Sequence, residues 1–165
     1  MSQLTRRSLL RMLGASGAVA AGSGLASAHS EHSEVRKQLA EVRRATSKYH
    51  DPDVARSDGY VAEEHCVSNP NGEGAMGFHY PNLELFSEPG VDHEKPEVLV
   101  YEKRGNNLHL VAVEYAAMES FTLFGHDSHP PHGEVPFHTL HAWVWKGNPN
   151  GVFANFNPNV RCPSE

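Results

Sequence analysis

Basic residues are scarce in this chain. Its 165 residues include 14 Lys and Arg against 20 Asp and Glu. Residues 1–28 hold three of these basic residues and no acidic one, which leaves residues 29–165 with a net charge of −9. A nucleic-acid-binding protein must neutralise phosphates with clustered basic side chains, so we exclude nucleic acid as a partner.

Familiar catalytic motifs are also missing. The chain has no GxSxG turn of a serine hydrolase, no HExxH helix of a zinc protease and no CxxC pair. Its glycine-rich segment at 71–77 lacks both the lysine and the strand-to-helix setting of a phosphate-binding loop. A function must therefore be sought outside these motifs.

The chain lacks an apolar run long enough to span a bilayer. Its most apolar stretch, residues 12–25, is about 14 residues long, against the roughly 20 that a transmembrane helix needs. The motif TRRSLLR at 5–11 precedes this stretch and ASA at 26–28 follows it, which resembles a cleavable twin-arginine export signal. We predict a signal peptide at 1–28 and one mature domain at 29–165. The domain is expected outside the cytoplasm, periplasmic or secreted, exported in the folded state and not stably inserted in the membrane.

Only two cysteines are present, Cys66 and Cys162. Outside the cytoplasm an even pair predicts a disulfide, here closing a loop of about 96 residues. The alternative role, thiolate ligation of a metal, is disfavoured because neither cysteine belongs to a CxxC pair.

One amphipathic helix is predicted at 33–49. Its buried stripe recurs at intervals of four, three, four and three residues: Val35, Leu39, Val42, Thr46 and Tyr49. Ser33 can cap the helix start and Pro52 ends it, while 53–58 can form one further turn closed by Gly59.

Strands are predicted at 97–103 and 108–115, joined by a two-residue turn at Gly105 and Asn106. In this register Glu97 faces Glu114. One face would carry Val98, Val100, Val111 and Val113, and the other Leu99, Tyr101, Leu110 and Ala112. Both faces are apolar, so the hairpin should lie deep in the domain.

A further strand is predicted at 137–146. Alternation places His141, Trp143 and Trp145 on one face and Leu140, Ala142 and Val144 on the other. The fold class is therefore α+β: an N-terminal amphipathic helix packed on a mostly antiparallel sheet of about four to six strands, with one disulfide.

Several strings are distinctive enough to compare: GFHYPN at 77–82, PEVLVYE at 96–102, LHAWVW at 140–145 and NPNGVFA at 148–154. With them, residues 60–163 resemble an uncharacterised family of small exported microbial proteins. The resemblance implies no particular activity, substrate or cofactor.

Four polar residues interrupt otherwise apolar strings: His79, Glu102, Glu114 and His141. A carboxylate buried in a sheet needs a compensating charge. We therefore predict that His79, Glu114 and His141 bind one divalent transition metal, Zn, Fe or Cu, with Glu102 as a fourth ligand or a partner of the ligands. Trp143 and Trp145 are the predicted pocket wall. In the straight register, however, Glu102 and Glu114 point to opposite faces.

Two other interpretations of these polar residues stay open. They can form a hydrogen-bonded cluster without metal, or have unrelated packing roles. The alternative function is a non-catalytic binding protein for a small apolar ligand, oriented by His79 and His141. Whether a metal would serve catalysis or only be carried does not follow from the sequence.

A second histidine cluster lies in the loop at 125–136, where His126, His129 and His132 recur every third residue. Such a loop can bring imidazoles together, but exposed flexible loops bind metal weakly. Partial protonation near pH 6.5 would make it acid-responsive.

Overall fold

The computed structural model describes residues 23–131, 133 and 135–163. The predicted arginine motif, most of the apolar stretch that follows it and His132 lie outside these residues, so the export signal stays a prediction. Among the helices that are described, none has the length and apolar character needed to cross a membrane.

Two helices and a 3₁₀ segment open the described chain. Helix α1 covers Ser23–Thr46, the 3₁₀ segment covers Ser47–His50 and helix α2 covers Pro52–Ser57. The second helix confirms the predicted further turn, and Gly59 follows it with a φ of 94°. Helix α1 starts earlier than the predicted Ser33 because residues 25–34 contain no Gly or Pro that would end a helix.

The described strands are β1 (Cys66–Ser68), β2 (Ala75–Pro81), β3 (Val98–Arg104), β4 (Asn107–Ala117), β5 (Thr122–Leu123), β6 (His126–Asp127) and β7 (His138–Ala142). Five of them form one curled antiparallel sheet in the order β1-β2-β3-β4-β7. Strands β5 and β6 form a small hairpin in the connection between β4 and β7. This architecture confirms the predicted α+β class and strand number.

One face of the sheet packs against the helices. The buried side chains of this main core are Leu39, Val42, Tyr49, Ala55, Tyr60, Tyr80, Leu99, Tyr101, Leu110, Val113, Tyr115, Phe124, Leu140, Ala142 and Val144. The Tyr101 hydroxyl donates a 2.6 Å hydrogen bond to the Tyr49 carbonyl, which joins the centre of the sheet to the 3₁₀ segment. The opposite face of the sheet is left for a smaller core and for polar groups.

A bulge in β4 corrects the predicted hairpin register. The turn at Gly105 and Asn106 is confirmed, and Lys103 pairs with Leu108 as expected. Beyond it the register shifts by one residue, because Tyr101 pairs with Leu110 whereas Val100 pairs with Ala112. Glu114 therefore faces Val98 and not Glu97.

The same bulge exchanges two predicted face assignments. Ala112 packs with Val100 and Trp143 in the smaller core, whereas Val113 joins the main core. A strand residue changes face with each one-residue shift, so the prediction for this pair was wrong.

Strand β7 ends earlier than predicted, and Trp145 therefore lies on a different side of the sheet from Trp143. The Val144 N–H donates to the Ala142 carbonyl at 2.9 Å, a tight turn that interrupts the alternation. Trp143 stays on the His141 side of the sheet, but Trp145 packs against the main core. Its indole N–H donates to the Thr46 hydroxyl at 3.1 Å.

Cys66 and Cys162 form the predicted disulfide, with their Cα atoms 5.6 Å apart. It ties the edge strand β1 to the irregular C-terminal segment across 96 residues. In the chain-entropy model a loop of this length stabilises the fold by roughly 4 to 5 kcal/mol.

Candidate metal centre

Three strands bring His79, Glu114 and His141 together on the sheet face away from the helices. His79 lies on β2 opposite Val100, and Glu114 lies on β4 opposite both Val98 and His141 of β7. Their chain neighbours Tyr80, Val113 and Ala142 belong to the main core. Strand alternation therefore turns the three polar side chains to the other face.

The three side chains form a compact buried group. Glu114 places Oε2 3.6 Å from His79 Nε2 and Oε1 3.5 Å from His141 Nδ1. Each residue offers one ligand atom within 4.8 Å of the others. His79 and Glu114 are each 8% exposed and His141 is 1% exposed. Ligand atoms in a tetrahedral zinc site lie about 3.3 Å apart, so an inward movement of the imidazoles would give these three atoms the spacing of three ligands in such a site.

Burial keeps the His79 imidazole in the form that binds metals. It lowers the pKa of His79 below its ordinary value, and proximity to His141 lowers it further, although the Glu114 carboxylate acts in the opposite direction. The ring is accordingly neutral near pH 7, with a nitrogen lone pair available to a cation.

An open cavity of about 540 Å³ leads to the group. Its aromatic wall is made of Phe86, Phe137 and Phe156, with the first two ring centroids 4.9 Å apart. Neither predicted wall residue lines this cavity. Trp143 instead stacks on His141 at 6.2 Å between ring centroids, and Trp145 lies on the other side of the sheet.

Glu102 is separated from the three-residue group by its own ion pairs. Lys146 Nζ lies 2.8 and 2.7 Å from its two carboxylate oxygens, and Arg104 Nε donates to it at 2.8 Å. It lines a different surface pocket, near Cys162. The structure thus brings three of the four predicted polar residues together and places the fourth among cations.

Glu63 is a residue of this cavity that the sequence does not signal. Its backbone N–H donates to the His79 carbonyl at 2.9 Å, which holds the irregular segment 61–65 beside β2. Partial burial, and to a lesser degree the charge of Glu114, raise the pKa of its carboxyl. The segment VAEEH has neither strand alternation nor a motif that would have singled it out.

The predicted cluster in the 125–136 loop forms no comparable group among the residues described there. His126 is exposed and packs its ring 4.3 Å from that of Phe153, while the backbone of His129 pairs with that of Thr139. Within the described ranges, the His79, Glu114 and His141 group is the one set of three such residues close enough to share an ion.

Comparison of the chain with protein-family models, with curated proteins and with solved structures finds no match. The resemblance to small exported microbial proteins stays a prediction. What the site can do must be inferred from its own residues: it presents two imidazoles and one carboxylate, buried on rigid strands, at the inner end of an apolar cavity.

Proposed function

We propose that the protein binds one divalent transition metal through His79, Glu114 and His141. The observation that carries this proposal is the position of the Glu114 carboxylate, buried and within 3.6 Å of an imidazole nitrogen on each side. A buried carboxylate costs several kcal/mol in lost hydration unless a charge compensates it. A divalent cation held between the three side chains offsets this cost.

The donor set suits Zn²⁺, Fe²⁺ and Cu²⁺. Three protein ligands leave at least one coordination position for water or a ligand, as in catalytic rather than structural zinc sites. That position would open toward the 540 Å³ cavity, since His79, Glu114 and His141 all line it. Binding of a small molecule at the metal is therefore part of the proposed function.

Metal content and thermal stability test the proposal directly. Wild-type protein should hold about one metal ion per chain, and His141→Gln and His79→Gln should each hold less than about a tenth of that. The matched control is His126→Gln, an exposed histidine of the loop, which should keep its metal. Elemental mass spectrometry measures content, and the rise in melting temperature on adding metal to metal-free protein measures binding to the fold.

Circular dichroism with a thiol assay ensures that each variant is folded and disulfide-bonded. If folded wild-type protein holds no metal and Zn²⁺, Fe²⁺ and Cu²⁺ all leave its melting temperature unchanged, the proposal is wrong. The apolar cavity wall would then favour the alternative, a binding protein for a small apolar molecule, which would stabilise metal-free protein.

We also propose that the protein acts outside the cytoplasm after twin-arginine export. The arginine motif at 5–11 and the Cys66–Cys162 disulfide support this location, because disulfides persist in oxidising compartments. In the same experiment the chain is expressed with its leader in an exporting host. Recovery of the cleaved protein from outside the cytoplasmic membrane is expected, and uncleaved protein confined to the cytoplasm would contradict export.

A further inference from the structure

Most of the large apolar side chains found exposed among the described residues line this cavity. Five large apolar side chains are exposed in the part of the chain that is described with side chains: Val61, Val67, Leu83, Met118 and Val135. Three of them, Val67, Leu83 and Val135, line this same cavity. Clustered exposed apolar side chains around a concave opening are typical of ligand or partner sites.

The apolar lining continues inward to the candidate metal ligands. Met76, Val98 and Phe156 line the cavity together with the Phe86 and Phe137 pair. The polar side chains of its lining are Glu63, Ser68, His79, Glu114, Thr139 and His141. No Lys or Arg occurs among the described residues of this lining, so a bound metal would be the main positive charge available to an anion.

The net charge of a metal bound to these three side chains indicates which chemical group of a ligand would bind it. A divalent ion with two neutral imidazoles and the Glu114 carboxylate has a net charge of +1. One anionic oxygen in the open position makes the centre neutral, which suits its apolar surroundings. Glu63 adds a negative charge to the lining, but it is only partly withdrawn from water and belongs to an exposed residue, so water and salt screen it.

The cavity is large enough for the apolar part of a small ligand. A cavity of about 150 Å³ is enough to bind benzene. The 540 Å³ here therefore has room for a single ring with a short side chain or a branched aliphatic chain of similar size.

From these observations we infer that the cavity binds a small apolar carboxylic acid, with its carboxylate on the metal held by His79, Glu114 and His141 and its body against the phenylalanine wall. This inference rests on the proposed metal site and names the class of molecule that the site takes.

Isothermal titration calorimetry of the zinc-loaded protein tests the inference with three probes. Phenylacetate has the anionic head and the apolar body, acetate has only the head, and phenylacetamide keeps the body with a neutral head. Because burying a ring is worth more than one factor of ten in affinity, phenylacetate should bind at least about tenfold more tightly than acetate. It should also bind at least about tenfold more tightly than phenylacetamide, and removal of zinc should abolish this preference.

Two exposed residues provide matched variants. Leu83 is 70% exposed and lines the cavity, whereas Met118 is 69% exposed and lies outside its lining. Leu83→Ser should weaken phenylacetate binding by about threefold or more without affecting acetate, since it removes only apolar contact. Met118→Ser should leave both affinities unchanged.

Each failure has its own meaning. If zinc binds but phenylacetate is no tighter than acetate, or if Leu83→Ser behaves like Met118→Ser, the apolar part of the inference is wrong. If phenylacetamide binds as tightly as phenylacetate, the inference that a carboxylate of the ligand binds the metal is wrong. Failure of the wild-type protein to bind zinc, iron or copper overturns the proposed metal function itself and is seen before any probe is added.

Discussion

Two glutamates on one hairpin show how surroundings decide the role of a buried carboxylate. Glu102 on β3 and Glu114 on β4 are 6% and 8% exposed. Glu102 is surrounded by cations, with Lys146 and Arg104 both within 2.8 Å. Glu114 lies between two imidazoles on a cavity wall. Glu102 is paired with two cationic side chains of the chain, whereas Glu114 lies where it could share a metal ion with two imidazoles.

The two surroundings also shift pKa values in different ways. Burial raises the pKa of Glu102, but hydrogen bonds from Lys146 and Arg104 outweigh it and leave the pKa below its ordinary value. Around Glu114 burial instead lowers the pKa of His79, which keeps that partner neutral. A neutral His79 forms no salt bridge with Glu114, and the two side chains belong with His141 to a group that could hold a metal ion.

Glu114→Gln should produce the largest effect. The amide keeps the shape of the side chain but removes the anionic ligand, so zinc affinity should fall by more than about 100-fold, because even loss of a residue that only orients ligands costs 10- to 100-fold. Competition with a chelator measures the affinity. Equal zinc affinity of the variant and wild type would show that Glu114 is not a ligand.

Part of this comparison could be predicted from the sequence. His79, Glu114 and His141 were identifiable because each interrupts an apolar run, and such runs form sheets in which a polar side chain needs a partner. The helix stripe, the Gly105 turn and the disulfide are likewise local or compositional signals. These features follow from residues close together in the chain or from the small number of cysteines.

The remaining features depend on contacts between distant segments. The bulge near Leu110 puts Glu102 and Glu114 on the same face, although straight alternation predicts opposite faces. Glu102 nevertheless stays apart from His79, Glu114 and His141 because Lys146, 44 residues away, pairs with it. The position of Glu63 beside His79 depends on an irregular segment held by backbone hydrogen bonds. None of these arrangements has a periodic sequence signal.

A third buried carboxylate, Glu97, extends the comparison to a glutamate that accepts a hydrogen bond from a neutral group. It is 3% exposed and its Oε2 accepts a 3.1 Å hydrogen bond from the Ala116 N–H. Burial raises its pKa to about 7. Folding therefore favours the protonated form, and the stability that this proton provides is present below pH 4.5 and is lost as the pH rises through about 7.

Glu97→Gln should consequently stabilise the metal-free protein at high pH. The amide has no proton to lose and still offers an oxygen to the Ala116 N–H. At pH 8 the free energy of unfolding should exceed that of wild type by about 3 kcal/mol, and the gain should fall toward zero at pH 4.5. Urea unfolding across this pH range measures the gain. A gain that does not change with pH would mean that the Glu97 pKa is not raised.

Glu102→Gln should have the smallest effect and the opposite sign. It leaves Lys146, whose side chain is 16% exposed, without its anionic partner, so the free energy of unfolding should fall by about 1 to 2 kcal/mol while zinc affinity stays unchanged. Adding Lys146→Met to this variant removes the stranded charge and should restore most of the loss, because a buried ion pair can be replaced by apolar groups at little cost. Urea unfolding of the two single variants and the double variant gives the coupling energy. A loss of zinc affinity in Glu102→Gln would instead mean that Glu102 contributes to metal binding. The two carboxylates would then not have separate roles.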